Sequence, residues 1–171
     1  MILIADGALT LEVNECLESS VMCTVLNDAE IGERKNMNLP GAVITLPVLT
    51  EKDVDDVVNF GVRLGVDYVA ASFVRTLEDV QLIRTTLDNA GGQKVRIISK
   101  IENQQGLDNY DAILEASDAI MIARGDLGME LPPQKLFIAQ KYMIQKAALV
   151  GKPCICATQM LESMCGNPLP T

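Results

Sequence analysis

Histidine and tryptophan are absent from the 171 residues, and aromatics make up only 4% of them. Without histidine a zinc site is not expected, since imidazole is one of the main ligands of that ion. With so few aromatics, the core has to be built from Val, Ile, Leu, Ala and Met. A basic surplus is missing too. The net charge is −9, which argues against a nucleic-acid partner, because such proteins carry a basic footprint. An acidic chain can still hold phosphates through backbone N–H groups, a few placed cations and a metal, so the charge bears on solubility and not on substrate. No apolar run approaches the ~20 residues that span a bilayer, and no membrane partner is expected. The opening stretch Met1–Gly7 is too short, and lacks the basic flank, to be a signal peptide. Cysteines are few and scattered: Cys16, Cys23 and Cys165 stand alone, and Cys154 and Cys156 are two apart. That last pair is expected to point to opposite faces of a strand and so to stay unbridged, with reduced thiols in a cytoplasmic protein.

What is present is a chain long enough to bury a sizeable core, with 49% hydrophobic residues. Its first part reads as antiparallel β. Leu9, Leu11 and Val13 alternate with polar neighbours, as do Val21, Cys23 and Val25, and Asp6-Gly7 and Asn27-Asp28 supply turn residues. From about Pro40 the pattern becomes strand, loop, helix, repeated. Thr50–Asp53 and Thr76–Asp79 read as helix starts, the first opening a helix with Val54, Val57, Val58 and Val62 on one face. Apolar strands are expected at Tyr68–Phe73, Val95–Lys100, Ala119–Ala123 and Cys154–Ala157. Between them fall helices carrying Val80, Ile83 and Leu87, then Leu107, Tyr110, Ile113 and Leu114, and one that starts at Pro132-Pro133 and stops before Gly151 and Pro153.

Strands alternating with helices at this spacing mean parallel βαβ units. An open doubly wound sheet and a closed (β/α)8 barrel compete. No Gly-x-Gly-x-x-Gly follows any strand, which weakens the dinucleotide-binding open sheet. A complete barrel takes about 250 residues, so the expectation is an α/β chain with about four strand–helix units of a partial barrel.

In a barrel, reactive groups collect at the C-terminal ends of the strands. Those ends read Ser72-Phe73, Lys100-Ile101-Glu102, Arg124-Gly125-Asp126 and Thr158-Gln159. Glu102 and Asp126, from adjacent strands, suit a hard cation such as Mg²⁺, which is commonly held by one or two carboxylates. Lys100, two residues before Glu102, points the same way on an extended backbone, and a lysine beside a metal and a phosphate is the arrangement that offsets developing charge in phosphoryl transfer. Gly125 lets the backbone approach an anion just ahead of a helical segment. Each has a plainer reading: a rim ion pair for Lys100 and Glu102, a turn residue for Asp126, a helix N-cap for Thr158, a structural role for Ser72. Their convergence on one face favours a site.

Five strings carry a further signal: Asn38–Gly41, Ala71–Arg75, Ile98–Asn103, Ala123–Gly128 and Cys156–Met164. In order and spacing they resemble pyruvate kinase across essentially the whole chain. The resemblance implies that residues 1–38 end a small antiparallel β lid domain and that 39–171 run from the third helix to the seventh strand of the catalytic barrel. It implies transfer of a phosphoryl group from phosphoenolpyruvate to ADP, giving pyruvate and ATP in glycolysis. Lys100 is then the lysine beside the transferring group, and Glu102 and Asp126 are the ligands of Mg²⁺ (or Mn²⁺). Gly125, Asp126 and Thr158 hold phosphoenolpyruvate, with Thr158 near the carbon that is protonated. Ser72 and Phe73 line the same pocket, and Lys35 contacts the nucleotide.

Departures from the family's strings are Ala5 for an aspartate, Ala119 for a glycine and Leu169 for an arginine. The family's first three barrel strands, its K⁺ ligands, the arginine on the substrate phosphate and the C-terminal allosteric domain have no counterpart. The chain alone is therefore expected to be inactive and to self-associate, while the family forms homotetramers. Two other readings compete: another barrel lyase or aldolase acting on phosphoenolpyruvate or pyruvate, which Lys35 disfavours, and a non-catalytic truncated fragment.

Overall fold

The computed structural model describes residues 1–158 and 160–169; Gln159 of the fourth strand end and the pair Pro170-Thr171 lie outside them. Two four-stranded sheets organise the chain. The first is antiparallel, in the order β3-β2-β1-β4, from β1 (Ile2–Ile4), β2 (Leu9–Cys16), β3 (Val21–Val25) and β4 (Met37–Asn38). The turn from β1 to β2 holds Ala5, Asp6 and Gly7 at φ of 54°, 56° and 83°, the left-handed region that suits the Asp-Gly pair and not the alanine. Asp6 also accepts a 2.6 Å hydrogen bond from the Asn36 side chain, tying the turn to the approach to β4.

The second sheet is parallel, in the order β5-β6-β7-β8: β5 (Tyr68–Ala71), β6 (Arg96–Ile101), β7 (Ala119–Ala123) and β8 (Cys154–Ala157). Sequential order without a switch is the strand order of a barrel wall. Its helices are α1 (Glu51–Asp55), α2 (Leu77–Asn89), α3 (Gln104–Asp108), α4 (Tyr110–Ala116), α5 (Arg124–Glu130) and α6 (Pro133–Leu149). α2 shows why this layer forms. Thr76 and Asp79 make a full capping box, and Val80, Ile83 and Leu87 recur at helical spacing and are buried. They meet Ile97, Ile101, Ile120 and Ile122 from the sheet and Ile113, Met143 and Ala147 from α4 and α6 in one apolar core. Burying each such Val, Leu, Ile or Met side chain contributes about 1.5–3 kcal/mol.

Several expectations need correction. The helix opened by Thr50 is α-helical only to Asp55 and continues as π-helix over Asp56–Val62; Val54, expected to face the core, is exposed. The helix after β6 is two pieces, α3 and α4, which meet at Asn109. β5 ends at Ala71, short of Ser72 and Phe73. Gly125 does not precede a helix and Asp126 is not in a turn: both belong to the first turn of α5. Cys154 and Cys156 do not face opposite ways. Residues two apart on a strand share a face, and both pack against the core while Ile155 between them is exposed. Both are free thiols, and burial pushes that of Cys154 up to about 11.

Candidate functional site at the ends of the parallel strands

The alternation that buries Ile97, Ser99 and Ile101 sends Lys100 and Glu102 the other way. Lys100 Nζ lies 2.8 Å from Glu102 Oε1 and donates to Ser72 Oγ, also at 2.8 Å. The other carboxylate oxygen of Glu102 accepts from the Phe73 backbone N–H. The ends of β5 and β6 are thus stitched together by one carboxylate and one ammonium group. Glu102 is 1% exposed, and its carboxyl is pushed above the usual range by burial first and by the neighbouring charge of Asp126 second. The Lys100 and Phe73 hydrogen bonds oppose that shift without cancelling it.

A second stitch joins β7 to β8. Gly125 N–H donates to Thr158 Oγ1 at 2.7 Å, and that hydroxyl donates to Ala157 O at 2.6 Å. Thr158 therefore satisfies one of the orphan N–H groups in the first turn of α5, a helix on another strand, and does not cap a helix of its own. A Cβ at Gly125 would sit 3.1 Å from Thr158 Oγ1, so glycine permits this approach. Phe73 (φ 55°) and Thr158 (φ 66°) lie in the left-handed region within two residues of a strand end. For a β-branched threonine that conformation is an outlier, of a kind that clusters at functional sites.

Beside β5 opens a cavity of ≈ 940 Å³, whose walls include Asn38, Ser72, Phe73, Glu102 and Glu130. Glu130 follows Asp126 by four residues and so lies on the same helical face; burial, then Asp126, raises its carboxyl pKa. Asn38 Oδ1 is buried with no hydrogen-bond partner among the described residues. Neither was read as a site residue from the sequence, although Asn38 opens the first of the five strings. The spacing to Asp126 could have flagged Glu130.

Ser72, Phe73, Lys100 and Glu102 are thus directly linked, Gly125 and Thr158 form a second linked pair, and Asp126 is close enough to Glu102 to act on its charge. Lys35 stands apart. It is exposed, two residues before β4, and no described contact joins it to the cluster. Among the described residues no group of three or more His, Cys, Asp or Glu is arranged to hold a metal. A buried carboxylate whose charge is opposed by a second one is nonetheless a donor set that a divalent cation would relieve, and two carboxylates suffice for Mg²⁺.

Fold and site together define an α/β-barrel protein with a lysine–carboxylate cluster at the C-terminal ends of its strands. Residues 1–171 match the family model described as "Pyruvate kinase, barrel domain". The pyruvate kinase of Eimeria tenella is 57% identical over 170 residues, 99% of this chain and 32% of that protein. That of Dictyostelium discoideum is 51% identical over 172 residues, 99% of this chain and 34% of the relative. The crystal structure of a pyruvate kinase from Cryptosporidium parvum superposes with a TM-score of 0.90 at 49% identity, covering 99% of this chain and 36% of that one. The chain belongs to the pyruvate kinase family. It spans about a third of the length of these relatives.

Proposed function

We propose that this chain supplies the metal-binding and phosphoryl-transfer residues of an enzyme that converts phosphoenolpyruvate and ADP to pyruvate and ATP. The observation that carries the reading is the Ser72–Lys100–Glu102–Phe73 linkage, which holds an ammonium group and a carboxylate side by side at a strand end. In the transfer, the phosphorus–oxygen bond of phosphoenolpyruvate breaks, a new one forms to a terminal phosphate oxygen of ADP, and the enolate left behind takes a proton on carbon. Lys100, oriented by Ser72 and Glu102, offsets charge on the group in transit. Glu102 and Asp126 would hold Mg²⁺ or Mn²⁺, which when bound supplies positive charge to substrate oxygens. Gly125, Asp126 and Thr158 receive phosphoenolpyruvate, with the Thr158 hydroxyl near the carbon to be protonated, and Ser72 and Phe73 line the pocket. Lys35 reaches the nucleotide from the antiparallel module. No residue of this chain is assigned to K⁺.

The same reading divides the chain into a lid segment, 1–38, and a barrel segment, 39–171. A homo-oligomeric, cytoplasmic enzyme of glycolysis is the setting, in line with relatives from soybean and potato named cytosolic isozymes. No described helix is long and apolar enough to cross a membrane.

The test uses the complete gene product. ADP-dependent pyruvate formation from phosphoenolpyruvate is expected, and Lys100→Met should lower kcat by about 10²–10³ with little change in KM, because the lost charge acts in the transition state. Raised KM with unchanged kcat would remove Lys100 from that role, and no ADP dependence in the parent protein would remove the reading itself.

A further inference from the structure

Residues 39–49 connect the antiparallel module to the parallel sheet and form no helix or strand. Their middle is in water: Val43 is 79% exposed and Leu46 71%. One end is held by β4, and near the other Val48 and Leu49 pack on the core. Between those ends, the described hydrogen bonds that fasten the connector to the sheet come from one side chain. Arg75 donates through Nη1 to Ile44 O and through Nη2 to Leu46 O.

Arg75 is built to hold that position. It is 8% exposed, and its Nε lies 3.6 Å from Asp79, so the planar guanidinium is fixed on one side by a carboxylate and on the other by two carbonyls. Its backbone is pinned as well: Arg75 N–H donates to Asp79 Oδ2 at 2.9 Å, and Arg75 O accepts from Asn109 Nδ2 at 2.9 Å. Two residues earlier in the same loop, Phe73 N–H holds Glu102. The loop 72–75 therefore grips a candidate metal ligand at one end and the connector at the other.

We propose that Arg75 is a positioning residue: its fork fastens the connector to the loop that orients Glu102, and so sets where the antiparallel module stands relative to the lysine–carboxylate cluster. The module side of the connector carries Lys35, whereas Ser72, Lys100 and Glu102 lie on the sheet side. Loosening the clamp should act on the nucleotide half of the reaction more than on the phosphoenolpyruvate half. This division rests on the function proposed above; the clamp itself does not.

Two variants of the complete gene product test it. Arg75→Met removes both donors but leaves Asp79 its backbone partners Arg75 N–H and Thr76 N–H, so the start of α2 is kept. Arg75→Lys keeps the charge but reaches one carbonyl at a time. Thermolysin, which cuts beside bulky apolar residues, should cleave Arg75→Met within 39–49 faster than the parent. KM for ADP should rise about tenfold, as expected for charged hydrogen bonds lost, with KM for phosphoenolpyruvate changing less than twofold and Arg75→Lys falling between. Cleavage at the parent's rate would overturn the clamp. Equal changes for both substrates alongside a lowered Tm would reduce Arg75 to a general structural role and overturn the positioning role. If the parent shows no transfer to ADP, the functional reading fails, while the cleavage rates still decide the clamp.

Discussion

Opposing effects meet at the Glu102 carboxyl. Burial and the charge of Asp126 push its carboxyl pKa up; the Lys100 and Phe73 hydrogen bonds pull it down, and the net direction is up. A carboxyl raised in the folded state binds its proton at higher pH than in the unfolded chain. Metal-free stability therefore improves as pH falls through the raised value towards that of an ordinary glutamate, and the ionised group costs stability above it. A cation needs the carboxylate, so its affinity falls across the same window. Two outcomes follow for the complete gene product. The stabilisation by Mg²⁺, about 2.7 kcal/mol at a hundredfold excess over Kd and read as a rise in Tm, should shrink as pH drops from neutral into that window. Glu102→Gln, whose one amide oxygen can accept from Lys100 or from the Phe73 N–H but not from both, removes the buried charge and should lose the Mg²⁺ response. A Glu102→Gln protein that retained the full response would exclude Glu102 as a ligand.

Among the elements, α3 shows how a short helix can serve the site without carrying any of its groups. Asn103, directly after Glu102, caps it by accepting from Gly106 N–H at 2.8 Å. The helix presses so close to the loop 72–75 that a Cβ at Gly106 would sit 2.7 Å from Val74 O. Since Val74 lies between Phe73 and Arg75, any outward shift of that loop moves the N–H that holds Glu102. Gly106→Ala should accordingly cost about 1–3 kcal/mol as an overpacked site, with weaker Mg²⁺ binding in addition. Unfolding in denaturant and a Mg²⁺ titration measure the two effects; a neutral substitution would mean that the loop has room to give.

The same elements mark the limit of what was legible. Thr76, Val80, Ile83 and Leu87 announced α2 because a capping box and helical spacing agree, and Lys100 and Glu102 shared a face because the strand period is two. The π-helical run after Asp55, the break at Asn109 and the Arg75 clamp were not readable. The clamp depends on partners distant in sequence, the carbonyls of Ile44 and Leu46, about thirty residues from the guanidinium they receive, and Asn109 at the break reaches back to Arg75 O. Gly125 and Thr158 could be placed at strand ends from sequence, but not bonded to each other, since that contact spans 33 residues.

For the molecule as a whole, the amount of surface decides what the chain should do by itself. A compact monomer of 18.5 kDa would show about 8,200 Å² of accessible surface, whereas this chain exposes 10910 Å². The difference, about 2,700 Å², is on the scale of an obligate interface. The parallel sheet is one open place. β5 and β8 form the two edges of the parallel sheet, each with one strand neighbour among the described residues. The face opposite the helical core carries Lys100, Met121 and Ile155 in register across β6, β7 and β8, and Ile155 is exposed. Unpaired strand edges beside uncovered apolar groups favour association. The purified 171-residue chain should therefore sediment as a dimer or larger species, with a population that shifts with concentration. It should also form no pyruvate from phosphoenolpyruvate and ADP, because the resemblance places the arginine on the substrate phosphate and the K⁺ ligands among residues it does not contain. A charged substitution on the edge, Ile155→Lys, should weaken the association if β8 is where copies meet. A monomer with a cooperative melt, or ADP-dependent pyruvate formation by this chain alone, would show that the open sheet is self-sufficient and contradict the prediction.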